Sequence, residues 1–120
     1  MNILTPEQIK RNKAFIKDLR ANPKKAIGQM RDNDGGRCCL CVALDTALAM
    51  GFQKYEYERR VNSDIYPPPS MAKWYGWPSE DPHLGNNQAS VYNDGGSCIP
   101  ELSHSEIADR FEEAFPEIKE

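Results

Sequence analysis

The segment Cys39–Met50 is apolar on nearly every side, and this limits what the chain can fold into more than any other feature. Only Asp45 and Thr46 are polar in this run, so a helix here has no solvent-facing side. A helix that is apolar all round is buried, and other elements must surround it. We therefore predict a mainly helical α+β fold, with four to five short helices packed around a central helix at about residues 39–50.

Two further helices are marked by signals at their N-termini. Thr5 and Gln8 form the pattern of a capping box at the start of one helix, and Ser103 and Glu106 do the same for the last helix. Proline after the expected end of each helix is typical of a stop. Two shorter helices are predicted over residues 70–75 and 88–93, each followed by glycine.

The β content is predicted to be small. Tyr55, Tyr57 and Val61 alternate with charged residues over positions 54–61, which favours a strand and gives the fold a small two-stranded or extended β element. Residues 78–87 are predicted to form a loop because they contain Pro, Gly, Asp and Asn. Residues 24–31 are predicted to form a short turn or an extended piece.

The length of 120 residues and the hydrophobic content of 39% favour one domain over residues 1–120, with a modest core. No apolar run approaches the roughly 20 residues that span a bilayer. The first residues also lack the basic and apolar parts of a secretion signal. We expect a cytoplasmic protein, in the host cell cytoplasm if it is phage-encoded, and no membrane partner.

The charges are distributed unevenly along the chain. Residues 1–60 hold 12 Lys and Arg against 7 Asp and Glu, whereas residues 61–120 hold 3 against 11. The two halves either neutralise each other, within the fold or across a homo-oligomer, or the basic half meets an anionic ligand. A pI near 5.4 argues against nucleic acid as the partner, because nucleic-acid-binding modules are usually basic overall.

Three cysteines lie close together at Cys38, Cys39 and Cys41, and we interpret them as reduced, buried thiols. Their spacing is too tight for a structural zinc site, so we assign no metal ligand and expect no cofactor. The alternative is a cysteine-dependent hydrolase or transferase, in which Cys38 or Cys39 at a helix start is the nucleophile. Its base would be His83 or His104, both predicted at solvated loop or cap positions.

The tetrapeptide Asn-Asp-Gly-Gly occurs twice, at residues 33–36 and 93–96. A glycine-rich turn before a helix can hold phosphate with its backbone N–H groups, and two arginines flank the first copy. As plain turns both copies need no function, and we favour this interpretation because Asp32 and Asp34 would repel phosphate. Asp45 and Asp94 are compatible with a functional or a structural role. No catalytic residue is assigned. The candidate ligand-binding residues are Arg31, Gly35, Gly36, Arg37, Trp74, Asn93 and Asp94.

Three segments carry a pattern that runs through most of residues 36–112. They are Cys38–Asp45, Pro68–Trp77, and Tyr92–Gly95 continued by Leu102–Asp109. In order and spacing they resemble CCLGVxCD, LPPxVxxWLGL and LNDxGxSFxEIADxIE, the pattern of a family of small uncharacterised proteins common in phages and prophages. The chain departs from this pattern at Cys41 and Leu44, which replace Gly and Cys, and by an insertion at 96–101.

The resemblance implies a genomic setting rather than a reaction. We expect a small phage-type accessory protein, not an enzyme, that acts by binding and forms a homo-oligomer. Its target would be a host defence protein or a nucleotide-like signal held by Arg31, Arg37 and neighbouring aromatic side chains. The cysteine-dependent enzyme is the first alternative, and a structural or complex component is the second.

Overall fold

The predicted central helix is present in the computed structural model, which describes residues 4–28, 32–53, 68–96 and 101–119. Five α-helices and one short hairpin form this part of the chain, and the mainly helical α+β class is confirmed. In chain order the elements are α1 (Pro6–Ala21), α2 (Cys39–Ala49), α3 (Pro69–Tyr75), β1 (His83–Leu84), β2 (Asn87–Gln88), α4 (Ala89–Asp94), α5 (His104–Ala114) and a 3₁₀ turn (Pro116–Ile118).

Both capping boxes form as predicted. At the start of α1 the Gln8 N–H donates to Thr5 Oγ1 and the Gln8 side chain accepts from the Thr5 N–H. At the start of α5, Ser103 and Glu106 make the same two reciprocal bonds. Each box satisfies backbone donors that a helix N-terminus leaves without intrahelical partners.

The core lies where α1 and α5 pack beside α2 and α3. Phe15 of α1 meets Phe111 of α5 edge-on, with ring centroids 5.0 Å apart. Tyr75 and Trp77 stack with ring centroids 4.5 Å apart, both contact Phe15, and Trp77 also lies 5.3 Å from Phe111. The Tyr75 hydroxyl donates to the carbonyl of Ala43 in α2, so the aromatic cluster is joined to the central helix.

One polar side chain lies within this core. Asn12 is fully buried, and its amide donates to the carbonyls of Gln8 and Tyr75 at 2.8 Å each. Its Oδ1 accepts from the indole N–H of Trp77, also at 2.8 Å. A buried amide with all these bonds made fixes how α1 packs against the end of α3, because every alternative packing leaves polar atoms unpaired.

The predicted small two-stranded β element is present, but it lies in another segment of the chain. His83 pairs with Gln88 and Leu84 with Asn87 in an antiparallel hairpin, within a segment predicted largely as loop, so that prediction was wrong. The signal was present, because Gly85-Asn86 is a typical two-residue hairpin turn and Gly85 adopts φ +81°. Two-residue strands are too short to show an alternating pattern. The strand predicted at 54–61 lies outside the described residues.

Candidate functional site

The backbone N–H groups of the first Asn-Asp-Gly-Gly copy bind a carboxylate, but it is that of Asp32, the residue before the copy. The Asp32 carboxylate accepts from the N–H groups of Asp34 and Gly36 at 2.9 and 2.7 Å. Gly36 is buried against the carbonyl of Lys25, and a Cβ there would meet that oxygen at 2.5 Å. Gly36 therefore allows close packing against the backbone at Lys25. The loop N–H groups donate to a side chain of the protein itself rather than to a ligand.

Arg37, which follows this loop, is held by an ion pair. Its guanidinium donates to the carboxylate of Asp45 on α2, and both side chains are about three-quarters buried. The Arg37 backbone N–H also donates to the carbonyl of Lys24 at 3.1 Å. Asp45, the charged residue in the apolar helix, thus has a cationic partner.

Asn93 of the second copy is fully buried and joins three parts of the chain. Its Oδ1 accepts from the N–H of Cys39 at the start of α2, and its amide donates to the carbonyl of Ala26 at 2.8 Å. The same amide donates to Asp94, while Lys25 donates to the Asn93 carbonyl. Asn93 therefore acts as a clamp on the N-terminus of α2.

The Cys38 thiol also satisfies a backbone donor at the N-terminus of α2. The Cys38 Sγ is the N-cap of α2 and accepts from the Cys41 N–H at 3.3 Å. Cys38, Cys39 and Cys41 are all buried. Burial raises the pKa of the Cys38 thiol and raises that of Cys39 well above its usual value. A thiol nucleophile needs the opposite, a lowered pKa and access to substrate.

The predicted site residues fall at two ends of α2. One group lies around the N-terminus of α2: Gly35, Gly36, Arg37, Asn93 and Asp94. Asn93 is joined to this end of the helix by its bonds with Lys25 and with the N–H of Cys39. Trp74 lies past the other end, where it contacts Phe52 with ring centroids 5.8 Å apart. An α-helix of eleven residues is about 16 Å long, so the fold does not add Trp74 to the arginine site. Arg31 lies outside the described residues.

Trp74 also contacts a cationic side chain, that of Arg11. The Arg11 guanidinium lies 4.3 Å from the centre of its ring and donates to its carbonyl at 2.8 Å. A shallow depression of about 420 Å³, lined in part by Phe52 and Lys73, adjoins the ring. The cation–π contact with Arg11 fixes the ring orientation at this surface.

His104 is buried, and the prediction of a solvated position was wrong. One ring nitrogen contacts the carbonyl of Asn22, whereas Nε2 has no hydrogen-bond partner among the described residues. Burial lowers the pKa of His104, and the charges of Lys25 and Arg37 lower it further. The signal was its spacing, because His104 lies three and seven residues before Ile107 and Phe111, on the inward face of α5.

Asp81 is a second buried group that the sequence interpretation did not single out. Its two carboxylate oxygens accept from the backbone N–H and the hydroxyl of Ser90, in the first turn of α4. A carboxylate at this position stabilises a helix start. No sequence signal links the two residues, since eight positions and a hairpin separate them.

A groove between α1, α5 and the 3₁₀ turn carries a different kind of chemistry. It has a volume of about 360 Å³, and its apolar floor includes Ile16 and Ile118. Three cationic side chains, Lys13, Lys17 and Arg20, lie along it. Arg20 is bound to Asp109 and Glu112 at 2.8 Å each, and these contacts raise its pKa.

Lys13 and Lys17 differ from Arg20. Neither makes a hydrogen bond or an ion pair with any described residue, and Lys17 is exposed. Unpaired ammonium groups beside an apolar floor can bind an anionic group that carries an apolar part. In the sequence, Lys13 and Lys17 fit the polar face of an amphipathic helix, and no local pattern indicates a groove beside them.

Neither metal ligation nor membrane insertion is visible in the part of the chain described. Its His, Cys, Asp and Glu side chains form no group of three or more that could hold a metal ion. None of its helices is both long and apolar enough to cross a membrane. Comparison of the chain with protein families, curated proteins and solved structures found no match.

Proposed function

We propose that this protein is a phage-type accessory protein that acts by binding an anionic target rather than by catalysis. The observation that carries the proposal is the groove beside α1, where Lys13 and Lys17 lie next to an apolar floor and pair with no residue in the described part of the chain. The target is an acidic surface of a host defence protein or a nucleotide-like small molecule. The resemblance of three sequence segments to small phage proteins supports this setting.

The groove replaces the arginine-containing loop as the proposed binding surface. In that loop Asp32 already occupies the backbone N–H groups, and Asp45 already pairs with Arg37. A phosphate bound in the loop would have to displace the carboxylate of Asp32 or that of Asp45. It would then lie beside both of these negatively charged groups. In the groove, Lys13 and Lys17 have no ion-pair partner among the described residues, and the carboxylate of Glu112, which also lines the groove, is paired with Arg20. Binding there would also weaken as salt concentration rises.

Affinity capture tests the proposal. The wild-type protein is immobilised beside the double variant Lys13→Glu/Lys17→Glu and a control, Lys73→Glu, which makes one such change at an exposed residue of α3. Each column receives bacterial extract, and bound proteins and nucleotides are identified by mass spectrometry. We expect at least one species that the wild type and the control retain and the double variant loses. Identical retention on all three columns would refute the groove as the binding surface.

The cysteine-dependent enzyme is disfavoured by burial. Cys39 is fully buried, and the Cys38 sulfur is engaged as a helix cap. Both thiols should react slowly with iodoacetamide in the folded protein and quickly in urea. Fast alkylation of either thiol without denaturant would restore the enzyme hypothesis.

A further inference from the structure

The outer face of α1 carries a row of three lysines, here called the basic stripe: Lys10, Lys13 and Lys17. Their spacing of three and four residues places them on one side of the helix. Lys10 and Lys17 are exposed, Lys13 is partly buried, and none forms an ion pair with a described residue. The row extends over seven residues, which is about 10 Å of helix.

The outer face of α5 carries a matching row of carboxylates, here called the acidic stripe: Glu106, Asp109 and Glu113. Their spacing is again three and four residues, all three are exposed, and the length is again about 10 Å. Arg110 is the one basic residue of this helix, and it approaches Glu113 only loosely, at 3.4 Å. The two stripes are thus alike in length and opposite in charge, whereas they differ in internal contacts: Glu106 also closes the capping box of α5 and Asp109 also pairs with Arg20.

The two helices lie side by side and run in opposite directions. The carbonyl of Asn22, at the end of α1, contacts His104 at the start of α5, while Leu4 donates to Glu117 beyond the end of α5. Between them Arg20 bonds to Asp109 and Glu112. Within one chain, a basic residue of α1 therefore forms ion pairs with acidic residues of α5.

We infer that a second copy of this chain covers the basic stripe with its acidic stripe. A two-fold axis that runs parallel to α1 and α5, in the plane between the two copies, places each basic stripe over the acidic stripe of the other copy. Such an interface is isologous, so both contacts form together and the assembly closes as a dimer. Charge complementarity along the whole length of both stripes favours a second copy as the partner of the basic stripe.

The dimer has a consequence for binding, and this part alone rests on the proposed function. Lys13 and Lys17 belong both to the basic stripe and to the groove. A second copy on the stripe therefore competes with an anionic target, and dilution frees the groove. Self-association itself needs no target, so it is measured on the purified protein.

Sedimentation equilibrium gives the first test. In about 0.01 M salt, where charges act over about 30 Å, the mean mass should rise from 13.6 kDa towards twice that value as protein concentration increases. In about 1 M salt, where they act over about 3 Å, the protein should remain a monomer. A monomer at the highest concentration in low salt, or a dimer that salt leaves unchanged, would overturn the inference.

Complementary charge reversal locates the interface. One variant carries Lys13→Glu and Lys17→Glu, the other carries Glu106→Lys and Glu113→Lys, and circular dichroism confirms that each is folded. Each variant alone should be monomeric, because both of its contacts pair like charges. An equimolar mixture should form a heterodimer, in which both contacts pair opposite charges again. Dimerisation of either variant alone, or no dimer on mixing, would exclude these stripes.

A single substitution that should strengthen the dimer, rather than weaken it, provides a further test. This test does not require that the charge-reversed variants fold. Arg110→Ala removes the one basic residue from α5 and should strengthen the dimer at low salt. Lys73→Glu on α3 should leave it unchanged. Weaker association of Arg110→Ala would contradict the proposed interface.

Discussion

The N-terminal end of α2 and the outer face of α1 are both polar, but they use their polar groups in opposite ways. At the end of α2, Asp32 fills the loop N–H groups, Asn93 and Cys38 fill the helix donors, and Arg37 has its ion pair. On α1 the three lysines of the basic stripe have no described partner. A region whose polar groups are satisfied internally is fitted for stability, whereas unsatisfied charge at a surface is available to a ligand.

This difference changes how the most noticeable sequence motif is interpreted. The repeated Asn-Asp-Gly-Gly suggested a ligand site, yet its buried members hold the chain together. The periodic lysines of α1 looked like an ordinary solvated face, yet they border a groove. We expect variants of the first region to alter the free energy of unfolding and variants of the second to alter binding.

The largest effect is expected for Asn93→Ala. This substitution leaves the buried Cys39 N–H and the Ala26 carbonyl without their partner, and each unsatisfied group costs about 1–3 kcal/mol. We expect the free energy of unfolding, measured by urea denaturation, to fall by about 2–5 kcal/mol. Asn33→Ala, the equivalent position in the exposed first copy, should change it by less than about 0.5 kcal/mol. Equal effects at both positions would mean that the two copies play the same role.

The next effect is a pH dependence caused by His104. Its pKa is lowered in the folded protein, mainly by burial and further by Lys25 and Arg37, so the unfolded chain binds the proton more readily. Stability should therefore be complete above the unfolded pKa of about 6.5 and should decrease as pH falls towards the folded value. The slope in that window is at most about 1.4 kcal/mol per pH unit.

Urea denaturation of His104→Leu and His83→Gln between pH 5 and 8 tests this assignment. The first variant should lose the slope, whereas the second, at an exposed residue, should keep it. A slope that persists in His104→Leu would assign the titration to another group.

These two predictions also show where the sequence was informative. Both capping boxes, the buried central helix and the last helix could be predicted, because each depends on residues within a few positions of one another. The roles of Asn93 and Asp81 could not, because their partners lie far along the chain or across a hairpin. The separation of Trp74 from Arg37 was hidden for the same reason, since it depends on how α3 packs against α1 and on the contact of Trp74 with Phe52 beyond the end of α2.

A smaller effect is expected for Arg37→Ala. Its ion pair with Asp45 is about three-quarters buried, which lies between exposed pairs that contribute about 0–1 kcal/mol and fully buried pairs that contribute more, so we expect a loss of about 1 kcal/mol. Thermal unfolding should show a small loss of stability, and retention of targets on the capture column should be unchanged. If Arg37→Ala abolished retention while the protein stayed folded, the binding surface would lie at the end of α2, and the comparison between the two regions would be reversed.

The smallest effect is expected for Lys13→Gln, which should raise rather than lower the free energy of unfolding. Lys13 lies three residues after Lys10 and four before Lys17, and like charges at this spacing destabilise a helix by about 0.2–0.5 kcal/mol per pair. Lys13→Gln should therefore raise the free energy of unfolding slightly at low salt, and high salt should remove the gain. The same substitution should weaken target retention, so one residue would favour binding at a cost in stability. A loss of stability in Lys13→Gln would instead show that Lys13 helps to hold α1 in place.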